Sequence, residues 1–221
     1  MTRRLPRLTL RAAPKTRRRL RVESLEDRTV PSFTVAKSFP VGPNGGTGIK
    51  PVSVAVGDFN GDGNLDAVTA IQDSFNTIKM VSVVLGNGDG TFQAPANIDI
   101  GRQPSFVQAT DVNGDGKLDL LTANKADNSV SVLLGNGNGT FQSAATFAVG
   151  ANTGPVALDV ADFNGDSKLD LAVANNGASF VTLMLGNGTG GFTASAQTVP
   201  VGTNPTSVAV ADFNKDGKPD I

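Results

Sequence analysis

The chain has 221 residues and carries 19 Lys and Arg against 20 Asp and Glu, with no Cys, His, Trp or Tyr. These absences remove disulfides, thiol nucleophiles, Ser–His triads and thiolate- or imidazole-ligated metals, so any metal must be a hard cation held by oxygen. The net charge of −1 conceals an asymmetry, because residues 1–31 sum to +7 and the other 190 to −8.

The first segment, 1–31, contains ten basic side chains, from Arg3 and Arg4 to Arg28. A secretory leader needs an apolar stretch of about 7–15 residues, and Arg or Lys interrupts every few positions here. Thr2-Arg3-Arg4 hints at twin-arginine export, but the apolar stretch is missing there too. Residues 1–31 therefore read as a basic leader or tail, expected to be disordered. The acidic remainder shows no basic footprint, so no nucleic-acid partner is expected. No apolar run approaches the ~20 residues of a membrane helix, and no transmembrane segment is expected in this chain.

From residue 51 onward the sequence repeats itself. The pattern P-x6-D-x-N-x-D-x3-D occurs at Pro51 with Asp58, Asn60, Asp62 and Asp66, and at Pro104 with Asp111, Asn113, Asp115 and Asp119. It recurs at Pro155 with Asp162, Asn164, Asp166 and Asp170, and at Pro205 with Asp212, Asn214, Asp216 and Asp220. The first Asp returns at intervals of 53, 51 and 50 residues. A second signature, LGNG followed by G-T/G-F, sits at 85–92, 134–141 and 185–192. Such self-similarity marks a repeat protein.

Each unit reads as four short strands. Val52, Val54 and Val56, like Val208 and Val210, alternate with small residues before the first Asp, the period of a half-buried strand. A second strand is expected at 67–71, 120–124 and 171–175, and a third at 80–85, 130–134 and 180–185, ended by the Gly/Asn turn. A fourth is expected at 92–101, 141–150 and 192–202, and residues 32–42 (SFTVAKSFPVG) match it by comparison with 140–150. The class is all-β, and four-stranded units of this size suit propeller blades. Residues 32–221 then form the repeat domain, about three and a half blades of an incomplete ring, opening on an outer strand suited to ring closure. A unit cut off just after Asp220 reads as a truncated or fragmentary product.

The acidic loop supplies oxygens at its positions 1, 3, 5 and 9. Calcium takes six to eight oxygens, and a chain curling back on itself can supply them. A backbone carbonyl at position 7 (Asn64, Lys117, Lys168 or Lys218) would complete the girdle, with the ninth-position Asp closing it. Glycine at position 6 (Gly63, Gly116, Gly217) would let the backbone take a positive φ. Metal-free Asx turns are the alternative for any single loop, but four copies favour Ca2+. An EF-hand-like loop would need an acid at position 12 and flanking helices, whereas Thr69, Thr122 and Val173 stand there. The weakest sites are expected to be the third, with Ser167 in place of Gly, and the fourth, with Lys215 at position 4. The LGNG turn reads as a hairpin, because a phosphate cradle would need a following helix. The recurring Phe residues read as packing between blades.

DFNGDGNLDAV, DVNGDGKLDLL and DFNGDSKLDLA, each followed by a VSVVLGNGDGTF-like segment, resemble the FG-GAP/VCBS repeats of integrin-α-type β-propellers. The resemblance spans 32–221 and implies calcium in the blade loops, on the sixteen repeat Asp and Asn residues at positions 1, 3, 5 and 9. It also implies an extracellular adhesion or ligand-binding role. The literal F-G and G-A-P words are missing, which marks a divergent bacterial variant. Residues 20–32, LRVESLEDRTVPS, resemble the Arg-rich leader of large exported bacterial repeat proteins, which implies export.

The resulting expectation is a non-enzymatic, calcium-binding repeat module of an exported or cell-surface bacterial protein. It would act as an adhesion or protein-interaction scaffold with a protein or glycan ligand. The alternatives are a lectin-like propeller, disfavoured by the absence of Trp and Tyr, and the repeat domain of a polysaccharide-acting enzyme. The acids outside the repeats of 32–221, Asp73, Asp89, Asp99, Asp127 and Asp159, show no pairing pattern in sequence.

Overall fold

Each acidic loop is flanked by runs of β-branched and small residues, and these runs pair locally into antiparallel ladders. The computed structural model describes residues 38–43, 49–73, 75 and 77–221, so segment 1–31 and residues 32–37 of the expected leading strand lie outside the described residues. The chain divides into two units, Met1–Ser38 and Phe39–Ile221, and the strands among the described residues belong to the second. The first blade is β1 (Ile49–Gly57), β2 (Asp66–Asp73), β3 (Met80–Val84) and β4 (Ala96–Asp99). The second is β5 (Pro104–Thr110), β6 (Asp119–Asn124), β7 (Ser129–Leu133) and β8 (Ala145–Ala148). The third is β9 (Pro155–Ala161), β10 (Asp170–Asn175), β11 (Phe180–Gly186) and β12 (Phe192–Pro200). Each blade is a four-stranded sheet in simple sequential order, and no α-helix occurs among the described residues. The fold is all-β, an open row of propeller blades.

The register repeats with the sequence. Ala67 faces Val84, Leu120 faces Leu133 and Leu171 faces Met184 at equivalent places. The repeated Pro opens β5 and β9 and is the third residue of β1, and the ladder slips beside it, between Pro51 and Ser53, between Pro104 and Phe106, and opposite Pro155. Proline has no N–H to give the ladder, so an irregularity at this point costs little.

Blades stack face to face. Strand β6 is buried along its whole length, because alternate side chains point to opposite neighbours. Leu120 joins Val68, Val81 and Val83 in a cluster shared with the first blade. Leu121 joins Leu158, Leu171 and Met184 in a cluster shared with the third. Burying one such side chain contributes about 1.5–3 kcal/mol, so the interfaces between blades form the core. Some of the recurring phenylalanines pack there: Phe59 meets Phe141 edge-on at 5.7 Å and Phe147 meets Phe192 at 6.0 Å, whereas Phe213 is 64% exposed.

Three expectations need correction. The fourth strand is continuous only in the third blade. In the first two, an isolated bridge (Gly86 with Phe92, Gly135 with Phe141) is separated from the short outer strand. In the first blade Pro95, which cannot donate, falls in this break. The expected strand around Val208 and Val210 forms no ladder. Only an isolated bridge, Ala211 with Asp220, forms there. Residues 38–42 carry no strand either. Phe39 nonetheless meets Phe92 edge-on at 5.0 Å and the Gly42 N–H donates to Ser82 Oγ at 3.0 Å. This segment ends FPVG, like FAVG at the end of the second blade's outer strand, and Phe39 stands toward Phe92 as Phe147 stands toward Phe192.

Candidate functional site: the acidic loops

The four loops have one geometry, built from carboxylates that accept backbone N–H groups. Asp58 Oδ1 accepts from Gly61 at 2.7 Å and Asp62 at 3.2 Å, and its Oδ2 accepts from Gly63 at 2.8 Å. Asn60 Oδ1 accepts from Asp62 N–H at 2.9 Å, and Asp62 Oδ1 accepts from Asn64 N–H at 2.8 Å. Asp111, Asn113, Asp115 and Lys117 repeat these contacts. Asp162, Asn164, Asp166 and Lys168 repeat them again, as do Asp212, Asn214, Asp216 and Lys218. Overlapping Asx turns of this kind follow from short acids and amides competing for nearby amides.

The curl needs a left-handed backbone at positions 4 and 6. Glycine supplies it at Gly61 and Gly63 (φ 74° and 83°) and at Gly114 and Gly116 (φ 74° and 80°). Ser167 and Lys215 take the same conformation with φ 64° each, although they carry side chains. A side chain there costs about 1–2 kcal/mol. Ser167→Gly is therefore expected to raise the stability of the third loop by about 1 kcal/mol, read as an upward shift in a thermal melt. An unchanged or lower melting temperature would refute the strain.

Position 9 does something different. Asp66, Asp119 and Asp170 are buried. Their Oδ2 atoms accept the position-2 amides of Phe59 at 2.8 Å, Val112 at 3.0 Å and Phe163 at 3.0 Å. Their Oδ1 atoms accept the amides of Gly86 at 2.7 Å, Gly135 at 2.7 Å and Gly186 at 2.8 Å, each in the LGNG turn. One carboxylate thus fastens two hairpins together. Sequence reasoning assigned this Asp only to metal. The signal for the second role was present, since every LGNG turn follows an acidic loop in the same blade. In the fourth loop Asp220 Oδ2 accepts the Phe213 amide at 2.9 Å, and its Oδ1 lies 3.5 Å from Asn214 Nδ2.

The fit to a cation is mixed. Among the described residues, no three carboxylates are gathered to share one ion. The donor set is nonetheless all oxygen. Asp58, Asp111, Asp162 and Asp212 each have an Oδ2 that accepts a single amide N–H, which leaves lone-pair capacity for a hard cation. Lys117 and Lys168 reach the position-5 carboxylates at 3.7 and 3.5 Å, exposed ion pairs of small worth.

The amides set the charge states. The Asn64 and Lys117 N–H groups hold the Asp62 and Asp115 carboxyls below the usual carboxylate range. Asp162 is also lowered: burial opposes ionisation there, but the amides of Ser167, Gly165 and Asp166 together outweigh it. Asp119 goes the other way, since burial raises it and the Gly135 and Val112 amides only partly offset that. Lowered carboxyls stabilise the fold above the unfolded value of about 4 and lose that contribution as pH falls through their folded values. Asp119, raised, costs stability when charged and relieves that cost on protonation. Thermal melts in chelator are thus expected to hold or rise slightly on mild acidification and to drop steeply below about pH 4. A monotonic decline from neutrality would contradict these assignments.

The FG-GAP-like repeat family matches residues 74–122, 111–173 and 162–221. These stretches cover well over half of the chain, which therefore belongs to the FG-GAP-like repeat proteins. The loop at Asp58 lies before the matched stretches but shares their pattern and geometry. No curated protein matches. Among solved structures, an Agrocybe aegerita lectin described by its specific recognition of non-reducing terminal N-acetylglucosamine is 27% identical. The match covers 63% of this chain and 36% of that one, with a TM-score of 0.43. A Photorhabdus luminescens Tc holotoxin pore is 17% identical over 76% of this chain and 7% of its own, with a TM-score of 0.38. The chain thus spans about a third or less of the solved chains it matches. Among the described residues no helix is long and apolar enough to cross a membrane.

Proposed function

We propose that the chain is a non-enzymatic, calcium-stabilised binding module of an exported or cell-surface protein, offering its blades to a protein or glycan ligand. The observation that carries this reading is a single oxygen-rich loop built four times, with its carboxylates aimed by backbone amides. In each of the first three loops Ca2+ would be held by the side chains at positions 1, 3, 5 and 9 and by the carbonyl of Asn64, Lys117 or Lys168. The third and fourth loops would bind most weakly, because Ser167 and Lys215 must hold a left-handed backbone with a side chain attached. A bound cation would neutralise acids that otherwise repel one another.

The non-enzymatic part rests on what the other described acids do. Asp73 accepts the Thr77 hydroxyl and amide. Asp127 accepts the Arg102 guanidinium at 2.7 Å. Asp159 accepts the Val210 amide at 2.8 Å and the Gln108 amide group at 3.3 Å. Each of these three is engaged within the fold and not left poised for acid–base work. Membership in the FG-GAP-like repeats supports a binding role of the kind the lectin shows for its own sugar.

Calcium at about ten times its dissociation constant adds roughly 1.4 kcal/mol per site. Extracellular sites of this chemistry bind in the range of about 0.1–1 mM. Millimolar calcium is therefore expected to raise the melting temperature by several degrees over chelator, and Asp62→Ala with Asp115→Ala to remove most of that rise. A melting temperature indifferent to chelation would end the calcium reading.

A further inference from the structure

The three LGNG turns share a motif but not the hydrogen bonding of its asparagine. In the first blade Asn87 Nδ2 donates to Thr91 Oγ1 at 2.8 Å, and in the second Asn136 Nδ2 donates to Thr140 Oγ1 at 2.9 Å. Each of those hydroxyls gives its own hydrogen to Asp89 or Asn138, at 2.6 Å, so it meets the asparagine only as an acceptor. The third blade has Gly191 in place of the threonine, and Thr189 where Asp89 and Asn138 stand. There the carboxamide is turned round. Asn187 Oδ1 accepts the Thr189 N–H at 2.8 Å, the Thr189 hydroxyl at 2.9 Å and the Gly191 N–H at 2.9 Å. Backbone amides only donate, so it must be the oxygen that faces them.

An asparagine followed by glycine can close on itself. The glycine nitrogen attacks the side-chain carbonyl carbon, and no Cβ obstructs its approach. Most such nitrogens are held elsewhere among the described residues. The N–H groups of Gly61, Gly114 and Gly165 donate to Asp58, Asp111 and Asp162 at 2.7, 2.8 and 2.7 Å. Those of Gly139 and Gly177 donate to the carbonyls of Phe59 and Thr153, both at 2.8 Å. Gly88, Gly137 and Gly188, in the three LGNG turns, donate to no partner among the described residues. Asn87, Asn136 and Asn187 are all exposed, so access to water does not separate them. The charge that develops on Oδ1 does. As the ring closes, this oxygen becomes an oxyanion, and donors already aimed at it stabilise that state more than the neutral amide. Asn187 has three such donors, whereas the hydrogen bonds of Asn87 and Asn136 lie on the nitrogen.

We propose that Asn187–Gly188 is a self-modification site. Gly188 N yields its proton to solvent base and bonds to Asn187 Cγ. The Cγ–Nδ2 bond breaks, and Nδ2 takes a proton from solvent and leaves as ammonia. Water then adds across one of the two C–N bonds of the five-membered imide, giving aspartate at 187 or an isoaspartyl link through the side chain. The net change is water in and ammonia out. The aspartate product still presents oxygen to the Thr189 and Gly191 amides. The isoaspartyl product lengthens the backbone beside Gly186, whose N–H donates to the buried Asp170 at 2.8 Å, and so loosens the third blade's turn.

The test is peptide mapping by mass spectrometry of the whole chain, held folded in mildly alkaline buffer, in parallel with the same chain unfolded in urea. Heavy-oxygen water labels every residue that has passed through the imide. In the folded chain Asn187 is expected to convert about tenfold faster than Asn87 or Asn136. In urea the three should convert at similar rates, since glycine follows each of them. Thr189→Ala, at an exposed side chain, removes the hydroxyl donor. Gly191→Thr restores the hydroxyl that holds the other two asparagines by their nitrogen. Each substitution should slow Asn187 severalfold and leave Asn87 unchanged. A folded-state rate at Asn187 equal to or below those at Asn87 and Asn136 would overturn the proposal. So would a lead that persists in urea, or one that either substitution leaves intact.

Discussion

Asp119→Ala is expected to lose about 3–5 kcal/mol even in chelator, where no bound cation contributes. Asp119 is fully buried, and both its oxygens are taken by backbone amides, those of Val112 and Gly135. Alanine leaves two donors without partners, each costing about 1–3 kcal/mol. Removing a carboxyl that burial disfavours, with Asp115 and Asp111 nearby, returns part of that. A domain of this length shifts by about 2–4 °C per kcal/mol, so the melt should move by roughly 10 °C or more. Asp115→Ala is the control. That side chain accepts the Lys117 amide, makes an exposed ion pair with the Lys117 ammonium and sits at the surface, so in chelator it should cost well under 1 kcal/mol. Its loss should appear as a missing calcium response. If the two variants lose the same stability in chelator, the ninth position has no special structural role.

Gly135→Ala is expected to cost about 2–4 kcal/mol for a different reason. A Cβ on Gly135 would lie 2.2 Å from the Leu118 carbonyl oxygen and 3.1 Å from its carbon. Neither atom belongs to a flexible side chain, so the turn must back away from β6 and break the Gly135-to-Asp119 bond. Gly86 and Gly186 face Leu65 and Leu169 in the same way, at 2.2 and 2.0 Å. Gly116→Ala is the informative comparison: nothing lies near a Cβ there, and only the positive φ of 80° opposes it. That costs about 1 kcal/mol. Equal losses at Gly135 and Gly116 would mean that the close approach is not what the LGNG glycine serves.

The sequence made the blades legible because it states the same local instructions several times. Pro51, Pro104 and Pro155 lie at or near the start of inner strands, and the spacing from Asp to LGNG brings each carboxylate to its turn. Two features lay beyond that reading. Asp66, Asp119 and Asp170 look like further ligands because a carboxylate that binds an ion and one that accepts two amides are the same letter. Only the turn 16 or 20 residues later separates the roles. Phe39 was harder still, since its partner Phe92 lies outside its own strand pattern and the contact exists only once the first blade has formed. The segment around Val208 shows the converse. Its alternation is that of a strand, but a ladder needs a second chain segment, and alternation cannot provide one.

The most direct measurement is titration calorimetry of calcium into the chelator-treated chain, run in parallel on a variant carrying Asp62→Ala, Asp115→Ala and Asp166→Ala. Saturable heat with more than one site in the parent, lost in the triple variant while its strand content persists, is the predicted result. Heat indistinguishable from dilution in the parent, up to several millimolar calcium, would contradict the account and leave the loops as amide-pinned turns.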